Sequence, residues 1–443
     1  MGSWTLATAN ADPTGITLNP VSGQADSNDL WVIDKVDRLV YRYNNMVGAL
    51  SGTGTVSSSW ALNPNNNSPE GIADPPPPNW TPSIRWTGSA GGSWNNSANW
   101  TPNRLPTATD NVLIDIPNGE FVIDVPSATT VSVNTLYTTE RVRLLTGGSL
   151  SLAGPSDIER LTIAGGTLTG AGNVTVSNSF DWTSGSMSGT GTTLIAAGAT
   201  LDINAIGTRT LNRTLANSGT IVVSADLMLG TNASFVNNTS GIFRINNGAN
   251  VGISWTYSNT GNPFINAGQL ISTANSGVSN LWVTLTNSTP GTVNVDSGVL
   301  HINSINNSGT MNVAANAKLA VEGEEDFFGN PLDYTQSGGR TNIAGGEILS
   351  YNGIRINGGK LQGFGKLVGY VLNAAEIEIG NAVGVLRVQG GYMQTNTGIL
   401  KIDWNGAQAG IDYDQLIVLG SVTLGGSLQI LQTNTAVVGD TVL

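Results

Sequence analysis

Few side chains in this sequence are equipped for chemistry. There is one histidine, His301, in Gly298-Val-Leu-His301-Ile-Asn303, and no cysteine among 443 residues. A Ser-His-Asp triad or a metal-histidine centre would have to be built on that single imidazole, with no second histidine and no thiolate to share a zinc ion. Alternation along a strand sets His301 on the face opposite Leu300 and Ile302, so an outward-facing residue is expected. One acidic run, Glu322-Gly-Glu324-Glu325-Asp326, interrupts the surrounding repeat, where a loop carrying function would protrude. Glu324, Glu325 and Asp326 are the calcium candidates, although their spacing matches neither an EF-hand loop nor the calcium-binding nonapeptide, and a solvated loop is the plainer expectation.

Asp412 and Asp414, read as one strand, would share a face about 7 Å apart. Hydrolysis of a glycosidic bond calls for two carboxyls roughly 5–10 Å apart, so the pair is considered for that chemistry but is expected to be structural. Gly165-Gly166 and Gly170-Ala-Gly172 lack a following Lys-Ser/Thr and read as turns rather than phosphate cradles. The remaining candidates are aromatic. Trp86, Trp94 and Trp100, with Trp80, form a cluster that either caps an apolar core or presents indole faces to carbohydrate. No catalytic residue, metal ligand or cofactor is assigned.

These groups must be positioned by short strands. Glycine accounts for 57 residues and charged residues for only 11%, with Asn, Ser and Thr taking the places of Lys and Glu. That balance disfavours long surface helices and favours strands joined by tight turns. A net charge of −12, with Arg141 and Arg143 as the nearest approach to a basic stripe, argues against nucleic acid as a partner. No apolar run approaches the roughly 18 residues of a membrane span, and residues 1–20 carry no export signal.

A phrase of polar turn, Gly and β-branched run recurs at Asn217-Ser-Gly-Thr, Asn238-Thr-Ser-Gly-Ile, Asn259-Thr-Gly-Asn, Asn287-Ser-Thr-Pro-Gly-Thr and Asn307-Ser-Gly-Thr. Four steps separate Gly219 from Gly309, a period of about 22 residues that points to a solenoid with three short strands per turn. Strand phrases such as Val112–Ile116, Phe121–Val125, Ser149–Leu152 and Leu161–Ile163 extend the pattern upstream. In Leu201-Asp202-Ile203 the Leu and Ile should point inward and the Asp outward.

A second phrase, Ser3-Trp4-Thr5-Leu6 with Pro13-Thr14-Gly15-Ile16, returns at Ser59-Trp60-Ala61-Leu62 with Pro69-Glu70-Gly71-Ile72, offset by 56. Two copies of one phrase imply two copies of one unit. Between them Asp29–Asp34 and Arg38–Tyr43 read as a hairpin. The segment resembles one blade of an NHL-like β-propeller, and Asp74-Pro75-Pro-Pro-Pro78 closes it as a stiff connector. Gly92-Ser-Trp94 through Asn99-Trp100, followed by Asp110-Asn-Val112-Leu-Ile114, resembles the opening of large bacterial surface β-helices of autotransporter or adhesin type. Gly359-Lys-Leu361-Gln-Gly363-Phe-Gly365-Lys-Leu367, Gly384-Val-Leu386-Arg-Val388 and Val422-Thr-Leu424-Gly-Gly426 resemble the closing rungs of autotransporter passengers, with Ala382-Val383-Gly384 where those passengers carry Ser-Pro-Gly. The chain stops as a turn enters a strand at Gly439–Leu443, with no barrel after it.

The expected fold is all-β, a parallel β-helix preceded by a small antiparallel blade-like segment. Its parts are a blade and linker over 1–78, a Trp-rich cap and first rungs over 79–126, β-helix over 127–370, and passenger-like rungs over 371–443. The resemblances imply a non-enzymatic structural or adhesive rod of a bacterial surface, matrix or filament, extracellular and joined head to tail to other copies of itself, with surface carbohydrate as a further partner. The alternatives are a polysaccharide-active lyase, hydrolase or tailspike-like depolymerase, which would need an acidic cleft, and a carbohydrate-binding module, which would need exposed indoles.

Overall fold

The computed structural model describes residues 3–8, 13–18, 29–34, 36–43, 51–53, 55–61, 80–117, 120–204, 207–246, 248–252, 262–322, 333–380 and 383–432. They fall into two compact units, 1–81 and 82–443.

In the first unit, strands Pro13–Leu18, Leu30–Asp34, Leu39–Tyr43 and Val56–Ala61 form an antiparallel sheet in chain order. The predicted hairpin is present, with Leu30 opposite Tyr43 and Asp34 opposite Leu39. Its turn is held by the Asp34 carboxylate, which accepts from the backbone N–H of Val36 at 2.8 Å and of Asp37 at 2.9 Å, and Arg38 takes a left-handed φ of 57°. Leu30, Val32, Tyr41 and Tyr43 pack together, whereas Trp31, Ile33 and Val40 form a second cluster, as the two-residue period of a strand requires. The repeated Ser-Trp phrase takes two different settings. Ser3–Thr5 pairs in parallel with Ser51–Thr53, whereas Ser59-Trp60-Ala61 belongs to the antiparallel sheet. Residues 62–79, including the proline run, lie outside the described residues.

The second unit is a parallel β-solenoid of about 13 turns. One turn is legible as Thr310–Val313, Lys318–Val321 and Tyr334–Gln336, after which Arg340 returns beside Thr310. Each turn therefore has three faces, and side chains stack in columns from turn to turn. One inward column runs Val142, Leu161, Phe180, Leu201, Ile221, Phe243, Leu270, Val293, Met311, Thr341, Leu361 and Ile377 without a break in register. All are buried, and each large apolar side chain contributes about 1.5–3 kcal/mol on leaving water. Leu201 and Ile203 point inward and Asp202 outward, as alternation predicts. The core is continuous from Ile84 to Tyr392, so the motif changes near 126 and 370 fall along one core.

Several predicted short strands are joined. Ser156–Thr169, Val174–Met187 and Gln269–Asn287 run 14, 14 and 19 residues, turning corners without leaving the ladder. Gly165 and Gly185 permit this with φ of 89° and 95°, a conformation that side chains with a Cβ seldom adopt.

The recurrent Asn-Gly phrase has a specific cause. Asn217, Asn237, Asn266, Asn287 and Asn307 occupy one inward column, and the Nδ2 of each of the first four donates to the Oδ1 of the next at 2.7–2.8 Å. All five are at most 1% exposed, so the ladder satisfies amides that would otherwise be costly to bury. Glycine follows because the asparagine occupies its side-chain space: a Cβ on Gly241 would lie 2.3 Å from Asn237 Oδ1. The structure shifts the predicted alignment. Asn237 rather than Asn238 enters the column, and Asn266-Ala-Gly268 holds the next place, the Asn259 phrase lying outside the described residues up to Gly261.

Candidate functional site

The tryptophan cluster closes the first turn. Trp86 lies on Ile84–Trp86, which pairs in parallel with Asn111–Ile114 and antiparallel with Trp100–Thr101. Trp86 and Trp100 meet edge to face at 4.9 Å, Trp94 and Trp100 also lie 4.9 Å apart, and Trp100 Nε1 donates to Trp94 O at 2.9 Å. Their exposures are 5%, 1% and 1%. Trp86, Trp94 and Trp100 thus offer no open indole face, which fits the capping alternative and corrects the carbohydrate-stacking one: among the described residues no solenoid turn precedes this one, and its apolar interior takes the rings as cover.

The cap is fastened by Asp110, which is buried. It accepts two hydrogen bonds of 2.7 Å from Arg104, one of 2.6 Å from Ser83 Oγ, and 2.8 Å bonds from both the N–H and the Oγ of Thr107. The Arg104 guanidinium foremost, and then the hydroxyl and amide donors, outweigh burial and hold the Asp110 carboxyl far below the usual carboxylate range.

His301 faces outward, half-buried. Its Nδ1 lies 3.1 Å from Glu322 Oε2, and its ring meets that of Trp282 edge to face at 5.9 Å. Glu324, Glu325 and Asp326 lie outside the described residues, and among the described residues no group of three or more His, Cys, Asp or Glu is placed to hold a metal. Arg141 is paired with Asp181 at 2.6 Å and Arg143 with Asp124 at 2.7 Å, which cancels the basic stripe read in the sequence. No helix among the described residues is long and apolar enough to cross a membrane.

Asp412 and Asp414 do not share a strand face, which corrects the spacing read from sequence. The segment turns, because Asp412 Oδ2 accepts from Gln408 N at 3.0 Å while Asp414 turns inward to accept from Gly384 N at 2.7 Å and Asp403 N at 2.6 Å. Asp414 thereby ties the turn at Gly384, where the passenger-like phrase departs from Ser-Pro-Gly. Burial, reinforced by the Asp403 and Glu378 charges, pushes its carboxyl from 3.8 up to about 6 against the pull of those two N–H groups. The folded state then holds the Asp414 proton between roughly pH 4 and 6, where the unfolded chain releases it. Its stabilising contribution is complete below pH 4 and is lost as pH rises through 6. Asp414→Asn should remove this dependence, worth at most about 3 kcal/mol. The check is the wild-type-minus-variant difference in urea unfolding from pH 4.5 to 7.5, and a flat difference would refute it.

One open groove was missed by the sequence reading. It has a volume of about 500 Å³ and is lined by Lys318, Gly345, Glu347, Phe364, Lys366 and Arg387, among others. Lys318, Glu347, Lys366 and Arg387 stand side by side on successive strands. Glu347 is bound by Lys318 at 3.1 Å and Lys366 at 3.0 Å. Burial alone would raise its carboxyl, and the two ammonium groups outweigh burial and hold it below the usual range. The only advance signal was the outward place of each residue on its own strand, since their mutual register depends on the length of every intervening turn.

Fold and side-chain geometry together define a parallel β-solenoid. Comparison with protein-family models, curated proteins and solved structures finds no match.

Proposed function

We propose that this chain is a non-enzymatic, extracellular structural protein of the adhesin or autotransporter-passenger kind, a β-helical rod that associates head to tail with other copies of itself. The observation that carries the reading is the stack of about 13 parallel turns around one continuous core, in which each turn is bound chiefly to its neighbours. Ser427–Leu431 pairs with Ile399–Asp403 on one side, and among the described residues no strand covers its other side. Leu428 continues the inward column through Leu400, yet it is 57% exposed, and Ile430 is 51% exposed. Residues 433–443 lie outside the described residues, and a parallel edge of this kind suits a further strand, from this chain or from another copy, that continues its ladder and apolar column. The strands of the N-terminal unit are the partner in this reading: Pro13–Leu18 and Val56–Ala61 are the outer strands of its sheet.

The test is sedimentation and electron microscopy of the whole chain across a concentration series. End-to-end oligomers that grow with concentration, and that vanish in Leu428→Asp/Ile430→Asp, are expected. A monodisperse monomer at high concentration would sink the proposal.

A further inference from the structure

The groove across the later turns is a shallow, open depression of about 500 Å³ beside Phe364. Phe364 is 45% exposed, although an exposed phenyl ring forfeits the burial that most aromatic side chains among the described residues obtain. The neighbouring turns place glycine beside the ring and beside its Cβ. A Cβ on Gly345 would come within 3.2 Å of Phe364 Cε2, and one on Gly384 within 2.9 Å of Phe364 Cβ. The same groove holds a row of charge of unusual sign for this molecule. Lys318, Lys366 and Arg387 set three cations against the single carboxylate of Glu347, on a chain whose net charge is −12. Glu347 is occupied by the two lysines, whereas Arg387 is exposed and makes no ion pair among the described residues.

We infer that this groove binds a carboxylated polysaccharide, a uronate-containing chain, with Phe364 stacking against the C–H face of a sugar ring and Arg387 receiving its carboxylate. Three features select that class. An aromatic face beside polar groups suits a pyranose, whose own faces are apolar and whose rim is polar. A planar guanidinium pairs with a carboxylate through two parallel hydrogen bonds, which a neutral sugar cannot use. Arg387 lies one strand spacing, about 4.8 Å, from Lys366 on the strand that carries Phe364, so a pyranose on the phenyl ring can direct its carboxylate to the guanidinium. A nucleic acid fits less well, because even one strand of DNA carries a phosphate every ~3.4 Å, denser than one carboxylate per sugar ring, and Lys318 and Lys366 are already paired with Glu347. The site supplies the rod with an adhesion target and rests on the proposed function only for its biological setting. Glycan binding and head-to-tail association can fail separately, since each has its own variants and readout.

The experiment is binding of the full chain to polygalacturonate, to its methyl-esterified form and to single-stranded DNA, by affinity electrophoresis and calorimetry at low and high salt. Salt-sensitive binding to polygalacturonate is expected, reduced at least tenfold by methyl esterification. Phe364→Ala and Arg387→Glu should each weaken it by about tenfold, equivalent to about 1.4 kcal/mol. Arg244→Glu, at an exposed strand position outside the groove, should bind as the parent does, as should Leu428→Asp/Ile430→Asp. Thermal melting equal to the parent's would establish that the variants fold. Binding of the ester as tight as the acid, tighter binding of DNA, no binding of any of the three, or unchanged binding in the folded Phe364 and Arg387 variants would each overturn the inference.

Discussion

Asn266→Ala is expected to destabilise the solenoid by about 3–5 kcal/mol, the largest loss from any single substitution considered in this molecule. Asn266 sits midway along the buried ladder, accepting from Asn237 Nδ2 at 2.7 Å and donating to Asn287 Oδ1 at 2.8 Å and to Thr292 O at 3.0 Å. Alanine leaves Asn287 Oδ1 without its neighbour's amide and Thr292 O without a side-chain donor in a region water does not reach, and it opens a small cavity besides. An unsatisfied buried polar group costs roughly 1–3 kcal/mol, so the two acceptors and the cavity reach the stated range together. A second asparagine ladder provides the contrast. Asn312 donates to Asn294 at 2.7 Å and Asn342 to Asn312 at 2.6 Å, but this row faces outward and water can replace a missing partner. Asn294→Ala should therefore cost less than about 1 kcal/mol. Urea unfolding measures both, and hydrogen exchange should locate the Asn266→Ala loss in the turns around 262–310, since solenoid turns depend chiefly on their neighbours. Equal effects at the two sites would show that burial of the ladder is not what stabilises it.

Replacement of Asp110 should have the next largest effect, with Asp110→Ala destabilising the cap by about 3 kcal/mol. Arg104 is 43% exposed and can turn to solvent, so little of this comes from a stranded cation. The cost lies with Ser83 Oγ and the Thr107 N–H, which lose the acceptor that joins the segment before Ile84–Trp86 to the one before Asn111–Ile114. The pH dependence has the opposite sign to that of Asp414. The Asp110 value in the folded state is depressed, so its stabilisation is present above the ordinary carboxylate range near pH 3.9 and is lost only as pH falls toward the depressed value. Exchange protection of the Trp94 and Asn134 amides, bonded to Asp124 O and Asp110 O, reads the cap directly. Asp110→Asn should lower that protection at neutral pH and narrow its difference from wild type in strong acid. A cap equally protected in wild type and variant at pH 7 would rule out the role assigned to Asp110.

The sequence by itself determined the strands, their inward and outward faces and the solenoid period. These follow from alternation and turn chemistry, which act over a few residues: Leu201 and Ile203 must share a face, and Gly241 must be small beside an inward asparagine. The same local logic found the hairpin at Asp34–Leu39. Only the tertiary structure decided which turn lies on which, and that set every candidate site. It buried Trp86, Trp94 and Trp100, because a first turn must be covered. It turned Asp414 away from Asp412 toward Gly384, because two main-chain N–H groups there need an acceptor. It gave His301 to Glu322 and Trp282. It also brought Lys318, Glu347, Lys366 and Arg387 into one row around Phe364. The strands that carry them are separated by turns of unequal length, and a change of one residue in any turn would move that charge to the opposite face of its strand.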